Sequence, residues 1–128
     1  MAIDNDVLLR DGTVELNASE ATPTAIDFGG PDLVPLTYFV DIVAATDGTD
    51  ETLDVVIEGS NTSASAGFET IITFPQITAL VSPGGQYAIE AISDLRWRRA
   101  KTTVGGSNTP SFHGCMIYCQ PAGRYNKK

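Results

Sequence analysis

The feature that most constrains this chain is a two-residue alternation between Leu36 and Gly59 (LTYFVDIVAATDGTDETLDVVIEG). Leu36, Tyr38, Val40 and Ile42 share one side of an extended segment. Leu53, Val55 and Ile57 do the same in a second run, with Asp54 and Glu58 opposite. Successive side chains of a strand point to opposite faces, so this period fits half-buried strands and not a helix. The linker AATDGTDE carries Asp47-Gly48, whose Gly accepts positive φ and whose Asp can bond its own backbone. The stretch therefore predicts a β-hairpin around which further strands pair.

The same alternation recurs downstream. Short runs at Thr13–Leu16 and Thr24–Phe28 precede the break Phe28-Gly-Gly-Pro-Asp. After the small, polar stretch SNTSASAG come Phe68–Phe74, closed by Pro75, then Ile77–Val81 and Tyr87–Ile92. In LRWRRAKTTV, Leu95 and Trp97 share one face, expected to be the core, and Arg96 and Arg98 the other; Phe112–Cys119 makes a last strand. Nowhere does a helical period persist over ten residues. The expected fold is all-β, a jelly-roll-like β-sandwich of about eight antiparallel strands with extended termini. Its divisions are an N-terminal arm at 1–12 anchored by Leu8 and Leu9, a sandwich at 13–120, and a basic C-terminal tail at 121–128.

With 128 residues the chain has room for one domain with a core of its own. No apolar run approaches the roughly 20 residues of a membrane helix, and acids stand in MAIDNDVLLRDG where a signal peptide carries bases. Synthesis and assembly in a cytoplasm are expected. All sixteen acids lie between Asp4 and Asp94 beside one base, Arg10, whereas the seven later bases have no acid among them. That is −15 followed by +7, summing to the net −8. Such polarity suits head-to-tail contact between charged surfaces, unless the strands interleave and mix the charges within one molecule. The overall acidity argues against nucleic acid as a partner, since phosphate binding relies on accumulated Lys and Arg.

Reactive constellations are sparse. The single histidine, His113, would have to serve any Ser–His or Cys–His arrangement, and a structural or surface role fits it better. His113, Cys115 and Cys119 fall on one face of a strand, but six residues at ~3.3 Å separate the first from the last by about 20 Å, too far for one zinc ion. The two cysteines, ~13 Å apart on the same grounds, cannot bond to each other and read as free buried thiols. Asp47, Asp50 and Glu51 crowd a turn without calcium-loop spacing and read as a solvated acidic loop. Trp97 reads as core packing in preference to a sugar-stacking platform. No catalytic, metal or cofactor residues are assigned.

The segments DGTDETLDVVIEGS and LRWRRAKTTVGGSNTP, the second a strand of long side chains entering a Gly-rich turn, resemble the small jelly-roll capsid cement, or head decoration, proteins of tailed bacteriophages. The likeness spans most of residues 10–120. It implies a non-enzymatic structural protein made in the host cytoplasm that ends on the outer surface of the virion. There it bridges neighbouring major capsid protein subunits and associates with itself as a dimer or trimer, without nucleic acid or membrane. On that reading the partner-binding residues are Arg96, Arg98, Arg99 and Lys101, the tail bases Arg124, Lys127 and Lys128, and the arm residues Leu8 and Leu9. The arm and tail would order only on a partner. The alternative is a carbohydrate- or receptor-binding β-sandwich on a virion or cell surface, which an exposed Trp97 in a concave face would favour.

Overall fold

A computed structural model of the chain describes residues 7–29, 34–45, 50–78, 85–107 and 110–121. All the regular elements among them are strands: β1 (Val7–Arg10), β2 (Ile26–Asp27), β3 (Val34–Ile42), β4 (Ala44–Ala45), β5 (Thr52–Ser60), β6 (Glu69–Thr73), β7 (Ile77–Thr78), β8 (Gly85–Ser93), β9 (Trp97–Gly105), β10 (Phe112–His113) and β11 (Met116–Pro121). The protein is all-β, and every pairing between these strands is antiparallel.

Two sheets form the body, one in the order β1-β11-β3-β8 and the other β2-β9-β5-β6, with β7 also on β5. A short β10-β4 ribbon stands apart from both. The chain shuttles between sheets: β1, β3, β8 and β11 belong to one, and β2, β5, β6 and β9 to the other. The inner faces meet in a single core. Leu36, Tyr38, Val40, Ile42, Ile117 and Cys119 come from the first sheet, and Leu53, Val55, Ile57, Ile72 and Ala100 from the second. Apolar area removed from water is the main favourable term in folding, and two one-sided sheets can remove it only by facing each other.

Alternation thus places the buried faces of β3 and β5 as expected, but the two strands are not a hairpin. β3 pairs with β11 and β8, while β5 pairs with β9, β6 and β7. The 43–51 connection crosses from one sheet to the other, and its Asp47-Gly48 dipeptide lies outside the described residues. A period of two fixes which face of a strand is apolar and says nothing about its neighbour.

Three further expectations are corrected. β1 is a member of the first sheet, with Val7 opposite Cys119 and Leu8 opposite Tyr118, so residues 7–12 belong to the sandwich and are not a detached arm. Leu9 is buried there while Leu8 is 45% exposed. The strand over Phe112–Cys119 is two strands, because Gly114 takes φ +65° and turns the chain between β10 and β11. A Cβ on Gly114 would lie 2.5 Å from Val43 Cγ2, so another residue there would strain the backbone and force Val43 to move. In β9 the faces are inverted: Arg98, Ala100 and Thr102 are buried, and Trp97 stands on the outer side.

Candidate interaction surfaces

Three of the four bases in the run Arg96–Lys101 pair with carboxylates of the same chain, while Arg96 and Lys101 keep 44% and 41% of their side chains exposed. Arg96 makes a bidentate pair with Asp27 of β2, its Nε and Nη2 donating to the two carboxylate oxygens at 2.7 and 2.8 Å. That geometry, with Gly29 N donating to the same carboxylate, holds the Asp27 carboxyl down at about 2. The Arg99 Nε donates to Glu58 at 2.8 Å, and Lys101 reaches the other oxygen of Glu58 at 3.8 Å. Arg99 also lies 3.8 Å over the Phe68 ring. β9 and β5 are neighbours in register, Glu58 opposite Arg99, so the late bases meet the early acids across one ladder. Among the described residues, three of the late bases therefore meet two of the early acids, Asp27 and Glu58, within the molecule.

Arg98 is a core residue. Its guanidinium donates to Tyr38 Oη at 2.6 Å, Leu95 O at 2.7 Å and Ser93 O at 2.8 Å, and it lies 4.7 Å over the Phe28 ring. Arg10 plays a similar role at the other side. It pairs with Glu20 through both Nε and Nη2, and donates from Nη1 to Val14 O and Cys115 O. Neither structural role is visible in the alternation. Of the expected contact residues, Arg124, Lys127 and Lys128 lie outside the described residues.

The sugar-platform reading of Trp97 finds one ring face taken, since the Arg96 guanidinium sits 4.9 Å over it. His113 is exposed and lies 3.6 Å from Glu15, to which Ser111 Oγ also donates. Cys115 and Cys119 are both buried and outside any disulfide, and burial pushes the Cys115 thiol up to about 11. Asp50 accepts from Ser107, while Glu51 is fully buried.

Two surfaces stand out once the charges are accounted for. The first is the outer face of the β1-β11-β3-β8 sheet, where Leu8, Tyr118, Phe39 and Ala88 align in one row across all four strands. The Phe39 and Tyr118 rings stack at 4.9 Å, and Tyr118 Oη donates to Asp41. The adjoining rows carry Asp41 and Glu90. The second is a cleft of about 450 Å³ where the β6 and β8 edges of the two sheets meet. Ile71, Ile92 and Leu95 line it with Asn61, Glu69 and Asp94. Its depth depends on Gly59, where a Cβ would fall 2.6 Å from Leu95 Cβ and 2.9 Å from Ile71 Cδ1.

No family model, curated protein or solved structure matches this chain.

Proposed function

We propose that this chain is a structural virion protein that cements an icosahedral phage head, binding its outer surface and bridging major capsid protein subunits. The observation that carries the reading is the strand order. Leaving aside the two-residue β7 and counting the other eight strands of the two main sheets from the N-terminus, one sheet runs first-eighth-third-sixth and the other second-seventh-fourth-fifth. That order supports a jelly roll, the architecture that the resemblance implies and that viral shell proteins commonly use.

The contact surface differs from the one expected from sequence. With Arg98 buried and Arg96, Arg99 and Lys101 already paired with carboxylates, the contact we favour is the apolar row Leu8–Tyr118–Phe39–Ala88, flanked by Asp41 and Glu90. Its complement is an apolar and basic patch on the shell, in place of an acidic one. Each joint contributes a modest free energy, which symmetric repetition over a shell multiplies. Mixing the purified protein with mature heads of its virus and sedimenting them tests the proposal. Saturable co-sedimentation supports it; no binding across a range of salt concentrations sinks it.

A further inference from the structure

We propose that the open edge of β8 pairs antiparallel with β8 of a second copy, joining two four-stranded sheets into one continuous sheet. Strand edges carry unpaired N–H and C=O groups, and native chains blunt them with short strands, bulges, prolines or lysines. The other three edges of the two main sheets are blunted in these ways. β1 has four residues and a register shift between Leu8 and Arg10. β2 has two residues, and β6 has five, with a shift against β5 between Ile57 and Glu58. β8 has none of these devices. It keeps an unbroken register with β3 over nine residues, from Gly85 opposite Ile42 to Ser93 opposite Val34, and GQYAIEAIS contains neither proline nor lysine. No described strand pairs with its other side, and the cleft separates its Ile92 end from β6.

A second copy is the occupant because β8 complements itself. A two-fold axis at Ile89, the middle residue, lets all nine residues pair, Gly85 lying opposite Ser93 of the second copy. On the outer face Ala88 then meets Glu90 of the second copy, and Gln86 meets Ile92. On the inner face Ile89 meets its own counterpart and Tyr87 meets Ala91, large beside small. Shifting the axis to Glu90 sets two carboxylates directly opposite, a destabilising pair. Shifting it to Ala88 leaves Ile92 and Ser93 with no strand residue opposite. Tyr87, Ile89 and Ala91 pack against the core yet stay only partly buried, and pairing the edges takes more of their apolar surface out of water. The contact is isologous and closes at two copies, so the edge is consumed and does not propagate. It also sets the Leu8–Tyr118–Phe39–Ala88 rows of both copies on one face of one sheet, a bivalent surface.

The test reads the mass of the full chain in solution by sedimentation equilibrium. The expected result is a species of twice 13.6 kDa that returns to 13.6 kDa on dilution. In a mixture of isotope-labelled and unlabelled chains, filtered NOEs should join Tyr87 of one copy to Ala91 of the other. Ala88→Glu sets a like charge opposite Glu90 twice in each dimer and should raise the dissociation constant about tenfold. Ala88→Lys sets an opposite charge there and should hold the constant or lower it. Ala88 is exposed, so both variants are expected to fold, and the lysine variant controls for the substitution itself. A monomer at every concentration overturns the proposal. So does a dimer indifferent to both changes at Ala88, or an open-ended assembly, which places the contact on unlike edges. No capsid enters these measurements, so the dimer and the cement reading fail separately.

Discussion

Arg98 Nη1 donates to Tyr38 Oη at 2.6 Å, joining the middle of the β2-β9-β5-β6 sheet to the middle of the opposite one. Among the described residues this guanidinium has no carboxylate partner. It is held by three neutral oxygens and the face of Phe28, which together replace the water it gives up. The planar fork reaches Tyr38, Leu95 and Ser93 in three directions at once.

Lysine at this position keeps the charge and loses the fork. Arg98→Lys is expected to lower unfolding free energy by about 2–4 kcal/mol, since hydrogen bonds to a charged donor are each worth about 1.5–3 kcal/mol. Tyr38→Phe, which removes one acceptor, should cost about 1–3 kcal/mol. Urea unfolding at unchanged m-value measures both. Equal stability of Arg98→Lys and the native chain would contradict the role given to the fork.

Alkaline stability should carry the signature of Cys115. Burial raises its thiol from 9.0 to about 11 in the folded protein, ahead of a smaller opposing effect from Arg10. The unfolded thiol ionises first, so folding stability is complete below pH 9 and falls as pH rises from there to about 11. Two pKa units correspond to about 2–3 kcal/mol. Cys115→Ala should flatten the decline in this window. Burial also raises Tyr38, which adds a further decline above its ordinary value of 10.0 in both proteins.

The Arg96–Asp27 pair offers a direct site reading. A carboxyl-detected NMR titration should place Asp27 at about 2, with its contribution to stability complete above 3.8 and lost as pH falls from there through about 2. Arg96→Gln should return the midpoint towards 3.8, the ordinary value. Both groups are open to solvent, so the variant is expected to melt close to the native chain.

Gly114→Ala combines a positive φ with a Cβ placed 2.5 Å from Val43 Cγ2. A loss of about 1–3 kcal/mol is expected from the strained backbone, and relief of the contact must move Val43. Thermal unfolding of this variant beside Gly29→Ala, which shares positive φ but meets nothing within 4 Å, separates the steric part.

Leu8→Lys places a charge in the outer row without touching the core. Stability should change by no more than about 0.5 kcal/mol, as at other exposed positions. Affinity for the phage shell is expected to fall by at least about tenfold if the row is the contact, as loss of a central apolar anchor does elsewhere. Co-sedimentation of the variant at several concentrations measures this.

Much of the strand content was legible because alternation is a local property. Leu36 to Ile42 and Leu53 to Ile57 point inward as their spacing requires, and the alternating burial of β8 follows Tyr87–Ile92 closely. Pairing was not legible, since β3 and β5 carry no mark that sends them to different sheets. The inverted face of β9 has a plain cause. Trp97 shares its parity with Arg99 and Lys101, and those two charges outweigh one indole in deciding which side meets water. Leu95, which pointed the other way, precedes the strand. The surfaces were harder still. The Leu8–Tyr118–Phe39–Ala88 row joins residues from four distant stretches, and only the register reveals it.

The pairing of β1 with β11 has a consequence for biosynthesis. The first described strand finds its hydrogen-bonded neighbour only after β11 has been made, so β3 and β8 can pair earlier but β1 cannot join their sheet until then. Leu9 and its partners must wait exposed until Ile117 and Cys119 arrive, which makes ribosome stalling or premature termination upstream of β11 a direct route to aggregation.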